Sequence, residues 1–493
     1  MILFSRHGAI ILVLVVFTAI LAFQIDHGLA SGDGHGIVRT VETLLSSGKI
    51  DVSRPPGHPT TELYLFGATG WILLNAFGIE FGDKVYLVCQ ALASLATLIV
   101  FYELLLRIGT SRARTVLATI CLACSAQFLF NALDGEEFNF GILFLLISFR
   151  LLVPAPASVL RLSLSIFSFA LATGCRPELV FAAIIFPIYC LLDIRRGWKF
   201  VVATVVLCAL SIFIVWLPVL MTQVRAPYAS GMNLWASLVG AGYKLAFRSF
   251  SLPVFLLLLW ILIVSLMELK MAFGRSFPEN FVFIVSCLIP LVFFAVFFYY
   301  ATKPAFVLVA LPFLLFLVIQ RSLTLLTVLT AATAVSLFIN IDIFKDRQLT
   351  RPFFTRGNYA QAIEQKPYYK LGYLRKLLDQ CESRPAVIIG NAWPWDFEYH
   401  VERNNFAARE QDLHGQIKRD LPTFFANAEH CIFMSPEAAY ETALLKEWQQ
   451  KGYAMKMDAT LYRTLFARYE VHSALSAGIA DVSGVPFALF HAN

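Results

Sequence analysis

Apolar runs long enough to cross a bilayer fill the first two thirds of the chain, and they limit its fold more than any motif does. A spanning helix needs about 20 predominantly apolar residues. Suitable runs fall near 8–25, 84–106, 113–133, 138–154, 159–175, 178–193, 198–221, 253–270, 280–300, 304–320 and 322–341. The chain is 58% apolar and 15% charged, against about 45–50% and about 25% for a soluble globular chain. Its mean hydropathy is +0.70. Charge is unevenly spread: residues 1–341 hold 36 acidic and basic residues, and the remaining 152 hold another 36. The tail balances 18 basic against 18 acidic residues, so the net +6 lies in the apolar part. That excess is scattered among short loops and forms no nucleic-acid patch. Two domains are expected, a transmembrane one over 1–341 and a soluble one over 342–493.

A further apolar stretch, Glu62 to Gly78, decides the topology. Counting it as a span inverts everything after it, and the excess of Lys and Arg in cytoplasmic loops arbitrates. If it does not cross, the cytoplasmic side gathers Arg6, the Arg107/Arg112/Arg114 cluster, Arg161, the Arg195/Arg196/Lys199 cluster, Lys270, Arg275 and Arg321. If it crosses, the two densest clusters move outside. The first threading gives about eleven spans and a cytoplasmic N-terminus. It leaves one long outer segment over 24–83, ending in an interfacial stretch, and an extracytoplasmic tail. The first run also has features of a cleaved signal peptide, with Arg6 as its basic lead and Leu29-Ala30-Ser31 as the cleavage site. Polytopic chains commonly keep that helix as an anchor, and the anchor reading is preferred.

The tail alternates short strand-like and helix-like patterns, as in a small α/β domain. Ala386 to Gly390 and Cys431 to Met434 read as buried strands, and Tyr453 to Glu470 as a strand pair. Pro436 to Lys451 reads as a helix with Ser435 at its N-cap. In the membrane part, Cys121 and Cys124 have C-x-x-C spacing but sit in an apolar run without a nearby histidine. Packing is the expected role of such thiols.

The outer loops carry the chemistry. Ser31-Gly32-Asp33-Gly34-His35-Gly36 puts a carboxylate in a glycine-rich turn. Ile37, Val38, Val41, Leu44 and Leu45 follow at helical spacing, as in an amphipathic helix on a membrane surface. On position alone, Asp33 or Ser31 caps that helix. Ser53-Arg54-Pro55-Pro56-Gly57-His58-Pro59 is a stiff turn leading into 62–78. In the next outer loop, Leu133-Asp134-Gly135-Glu136-Glu137-Phe138-Asn139 sets three carboxylates within four residues between two spans. Carboxylates are costly near lipid. They either mark a solvated helix boundary or face a cavity shared with Asp33, where they bind an acceptor or a divalent cation. Arg176, Lys303, and Lys244 and Arg248 in the loop 222–252 also fall at outer helix ends. Each alone reads as a snorkelling anchor; together they can hold a phosphate.

An early outer-loop Asp, an amphipathic helix, the Arg54-to-Pro59 turn, an interfacial apolar helix and an acidic second outer loop, in this order, resemble the C-type membrane glycosyltransferases (GT-C). The match is to the bacterial branch related to protein O-mannosyltransferases and lipid A aminoarabinose transferases, over roughly residues 1–320. The resemblance implies a polytopic α-helical membrane fold and a sugar donor linked to polyprenyl phosphate. It also implies a glycan, lipid or protein acceptor reaching the outer face of the bacterial inner membrane. Asp33 matches the first-loop catalytic acid, which accepts the proton of the acceptor's nucleophile. Asp134, Glu136 and Glu137 match the second-loop acidic motif, and His35 and His58 join them as candidate acceptor or metal ligands. Arg54, Arg176, Lys244, Arg248 and Lys303 are the donor-phosphate candidates. Lys303 departs from the family, where Arg or Tyr is commoner. Mg2+ or Mn2+ is a possible cofactor, with Asp33, Asp134 and Glu137 as its ligands.

The implied chemistry is physically reasonable. Transfer from a phosphate-linked sugar passes through an oxocarbenium-like state. A carboxylate of ordinary pKa can take the hydroxyl proton late, as the new bond forms, while cationic side chains stabilise the departing phosphate. With one base and no evident nucleophile, inversion at the anomeric carbon is expected. The alternative is a transporter or a flippase for lipid-linked glycans. Ion-coupled carriers need ionisable groups deep in the membrane, whereas Glu103, Arg150 and Glu268 lie near helix ends. No clear inverted repeat and no Walker A sequence occur.

Overall fold

The protein is described by a computed structural model covering residues 2–25, 32–50, 57–134, 137–153, 157–192, 197–221, 241–269, 277–299 and 304–341, with strand backbones beyond. Two compact units form. One holds 1–26 and 40–364, the other 27–39 and 365–493.

The first unit is helical. It contains α1 (Ile2–Ile25) and the end of α2 (Gly32–Ser47), then a π-helical turn Thr60–Gly67 running into α3 (Ala68–Phe77). There follow α4 (Asp83–Arg107), α5 (Arg112–Ala123), α6 (Ala126–Asp134), α7 (Phe138–Leu152) and α8 (Val159–Cys175). A 3-10 segment Pro177–Ile184 leads into α9 (Ile185–Leu192) and α10 (Gly197–Met221). A second π-helical turn, Lys244–Ser249, precedes α11 (Leu252–Met267) and α12 (Phe277–Tyr299). A 3-10 turn Pro304–Val307, α13 (Ala310–Ile319) and α14 (Leu323–Ser336) complete the bundle. Helix α2 starts at Gly32, so Asp33 and His35 lie in its first turn instead of in a turn before it. An acidic residue there is favoured by the helix dipole.

Among the described residues, three helices are long and apolar enough to cross a membrane: Asp83–Arg107, Gly197–Met221 and Glu279–Phe298. The number rises to five if each of two bent pairs is one span. The other predicted runs appear as shorter apolar helices of 10–17 residues. One reason is visible at Pro177, which has no N–H to continue α8 and turns the chain into a 3-10 segment. All ten residues of α13 are buried, as expected of an all-apolar helix at the centre of a bundle. On α10, by contrast, Trp198, Val202, Val206 and Phe213 are exposed, the pattern of a helix whose solvent is lipid.

The helix ends gather in two sets. At one, Arg114 Nη1 donates to the Ile319 carbonyl at 3.0 Å. Arg321 there pairs with Glu268 at 2.6 Å and reaches Ser265 Oγ at 2.9 Å. At the other, Gln127 Nε2 donates to the Arg248 carbonyl and Asn340 Nδ2 to the Phe247 carbonyl. The 60–77 segment belongs to this second set. Phe66 packs on Phe81, Tyr86 and Phe140 with centroids 4.8–5.8 Å apart, and Tyr64 Oη donates to the Val215 carbonyl. Leu44 and Leu45 of α2 lie against Gly67 and Gly70.

In the second unit, six strands form a sheet in the order β4-β3-β5-β8-β7-β6; the two earlier strands, β1 (Ile339–Ile341) and β2 (Phe354–Arg356), pair in the first unit. Strands β3 (Ala386–Ile389) and β5 (Cys431–Met434) are parallel, with β4 (Ala408–Gln411) flanking β3. Strand β8 (Val485–Ala492) runs antiparallel to both β5 and β7 (Leu475–Val482), and β7–β8 is a hairpin the sequence reading did not place. Within 453–470 the described residues form β6 (Met455–Lys456), and the rest of the expected strand pair lies outside the described residues. The signal for the β7–β8 hairpin is Ser483-Gly484 between the two strand stretches. The helix expected over 436–451 lies outside the described residues.

Candidate active site

Two chain breaks bring a buried cation onto two carboxylates. Glu137 immediately precedes α7 and accepts Gly141 N–H on its carbonyl at 3.0 Å. Its side chain does not cap the helix; it faces Arg176, whose Nη1 lies 3.3 Å from Glu137 Oε2. Arg176 ends α8 in extended backbone geometry, and Pro177 follows it. Arg176 Nε donates to Glu178 Oε1 at 2.9 Å. The guanidinium lies 3.7 Å from the Phe138 ring centroid and 5.3 Å from that of Phe306, a cation–π arrangement. The two rings meet edge-to-face at 5.6 Å. Arg176 is 3% exposed and Glu137 fully buried; charges so far from water persist only when paired. Gly141 makes room for this, because a Cβ there would press on the Arg176 stem and Leu179.

His58 packs onto the same chain break. Its Nδ1 lies 2.6 Å from the carbonyl of Cys175, the residue before Arg176. Its own N–H donates to Glu62 Oε2 at 3.1 Å. Glu62 is fully buried, reaching back four residues much as a capping box does. Thr60 approaches α8 at Gly174, where a Cβ would overlap Thr60 Oγ1 and Val215. The Lys244–Ser249 turn packs on Pro304–Val307, the segment that supplies Phe306. On that turn Lys244 is half-buried, and the Arg248 guanidinium sits 5.9 Å from the Tyr243 ring.

Of the sequence-predicted residues, Glu137, Arg176 and His58 are thus brought together, with Lys244 and Arg248 on an element packed beside Phe306. Asp33 and His35 have described backbone in α2, and Asp134 closes α6, but their side chains lie outside the described residues, as do Arg54, Glu136 and Lys303. Among the described residues no three of His, Cys, Asp and Glu gather as metal ligands. Glu137, one of the three proposed cation ligands, faces a guanidinium instead. Sequence reading missed Glu62, Glu178, Phe138 and Phe306. Glu62 had one signal, an acid inside an apolar stretch four residues after a histidine. Glu178 had another, an acid one residue past the Arg176-Pro177 break.

No protein-family profile matches the chain, and no curated protein matches it. Among solved structures it is similar to ArnT from Cupriavidus metallidurans bound to undecaprenyl phosphate, with 11% identity, 98% of each chain covered and a TM-score of 0.53. Against the same protein in the apo state, the identity is 10%, with 99% of this chain and 98% of that one covered, at a TM-score of 0.52. At such identity the likeness establishes fold alone: the chain is an integral, multi-pass membrane protein with a predominantly helical architecture like that of ArnT.

Proposed function

We propose that the chain is a membrane glycosyltransferase that moves a sugar from a polyprenyl-phosphate donor to an acceptor at the outer face of the bacterial inner membrane. The observation that carries this reading is the fold likeness over 98% of the chain to a protein whose structure holds undecaprenyl phosphate. The order of outer-loop motifs supports it independently.

In this reading the apolar runs make about eleven crossings, and 60–77 lies across the outer ends without entering the bilayer core. Its contacts with the starts of α4 and α7 and the end of α8 support that arrangement. The tail is then extracytoplasmic. Asp33 acts as general base, taking the acceptor proton as the glycosidic bond forms and the phosphate leaves, with inversion at the anomeric carbon. The ion-paired Arg176 holds Glu137 at the outer helix ends for the acceptor. The departing phosphate is stabilised by Arg54, Lys244, Arg248 and Lys303. Should Mg2+ or Mn2+ take part, Asp33 and Asp134 would supply its oxygens, since Glu137 is engaged.

The test is transfer from a radiolabelled polyprenyl-phosphate sugar in membranes containing wild type or Asp33→Asn. Wild type transfers label and the variant does not. Full activity in a correctly inserted Asp33→Asn protein overturns the mechanism.

A further inference from the structure

The break between α8 and the 3-10 segment leaves a backbone carbonyl to be met from outside the helix, and His58 meets it. In a helix continuing past Cys175, the Cys175 carbonyl would accept the N–H of Leu179. Pro177 interrupts that ladder, and the Leu179 N–H turns to the Arg176 carbonyl at 3.0 Å instead. The last carbonyls of a helix then need another donor. His58 Nδ1 lies 2.6 Å from the Cys175 carbonyl oxygen. That oxygen can only accept, so Nδ1 carries a proton, whatever the state of the other ring nitrogen.

The donating residue is itself held. The His58 N–H donates to Glu62 Oε2 at 3.1 Å. Its carbonyl accepts the Glu62 N–H at 2.8 Å and the Thr61 hydroxyl at 3.2 Å. All three residues are buried, and the segment they begin is packed through Phe66 onto Tyr86 of α4 and Phe140 of α7. Across the bond, the peptide unit joining Cys175 to Arg176 is pinned at both its polar atoms. Its N–H donates to the Ala172 carbonyl at 3.0 Å, and its carbonyl accepts from His58. A trans peptide is planar, so bonds on its two opposite edges fix how it is turned. They thereby fix the direction in which the Arg176 side chain leaves the backbone, toward Glu137 and Phe138.

We propose that His58 is a positioning residue: through Nδ1–H and the Cys175 carbonyl it orients the 175–176 peptide and so places the Arg176 guanidinium on Glu137. This role replaces that of acceptor or metal ligand. What the placed cluster serves rests on the glycosyltransferase reading; the protonated Nδ1 and its bond do not.

Asparagine and glutamine separate the two ring nitrogens. The asparagine amide nitrogen stands as many bonds from Cα as His Nδ1, and that of glutamine one bond further. In membranes given a radiolabelled polyprenyl-phosphate sugar, His58→Asn should transfer within about threefold of wild type, whereas His58→Gln and His58→Ala should lose on the order of tenfold to a hundredfold in maximal rate. The donor KM should not move, because the donor phosphate is assigned to other side chains. Transfer kept by Gln and lost by Asn, lost equally by all three, or kept by all three overturns the proposal. If His58→Ala does not accumulate, the Asn–Gln comparison decides. Nitrogen-15 NMR of histidine-labelled protein in detergent, with the His58 signals identified by their loss in His58→Asn, reads the ring directly. A ring protonated at Nε2 alone overturns the inference, whatever reaction the chain catalyses. If wild type transfers no sugar, the glycosyltransferase reading falls by itself. The spectrum and the order of unfolding midpoints, Asn above Gln and Ala, then decide for His58.

Discussion

The two ends of the helical bundle both carry arginine–carboxylate pairs, but the pairs are built differently. At one end the Arg176, Glu137 and Glu178 side chains are 4%, 0% and 14% exposed, under two phenylalanine rings. At the other, Arg321 and Glu268 are 23% and 26% exposed, and Arg150 with Glu103 29% and 45%. Pairs of the second kind fit anchors that hold helix ends near water, where ion pairs add little. The first kind removes three charges from solvent, which is tolerable only because each meets another. The difference is one of burial: the first cluster depends on its internal pairing, the second pairs on water.

Breaking the buried cluster should have the largest effect. Arg176→Ala strands two carboxylates in an apolar setting and should cost about 3–5 kcal/mol, read as loss of folded protein in detergent unfolding. Arg176→Lys tests geometry: one ammonium cannot span Glu137 and Glu178 while lying over Phe138. It should leave protein that folds but transfers sugar poorly, and wild-type transfer would show that the fork is dispensable. Gly174→Ala should cost about 1–3 kcal/mol by overpacking Thr60 and Val215, lowering the unfolding midpoint. Arg321→Ala, at the opposite end, should cost only about 0.2–1 kcal/mol. A loss equal to that of Arg176→Ala would erase the distinction between the two ends. Glu103→Gln should be smaller again, within the scatter of the midpoint measurement.

Much of this was legible from local pattern. The helices appeared where runs of about 16 or more mostly apolar residues recur, because burial in lipid rewards composition along one segment. Arg107, Arg114 and Arg321 marked helix ends because a guanidinium cannot stay in hydrocarbon. Glu137 and Arg176 could be picked out as charges at helix boundaries, and strands β3 and β5 as short apolar runs. Their pairing could not be read, since nothing in either segment states that one meets the other. The β7–β8 hairpin was passed over because Leu475–Val482 contains Ser, Gly and Asp and lacks clean alternation.

By itself, then, the sequence determined that this is a polytopic membrane chain with charged loops between its helices and a separate polar tail. Hydropathy and charge act over windows of a few helical turns, and such windows lie open in the primary structure. Only the tertiary structure decided that Arg176 belongs to Glu137 across 39 residues and that His58 reaches the Cys175 carbonyl across 117. It also decided that Glu62 is buried and that Ser251 begins a helix without capping it. Those outcomes depend on where helices bend and which faces meet, and that is fixed by packing the whole bundle at once.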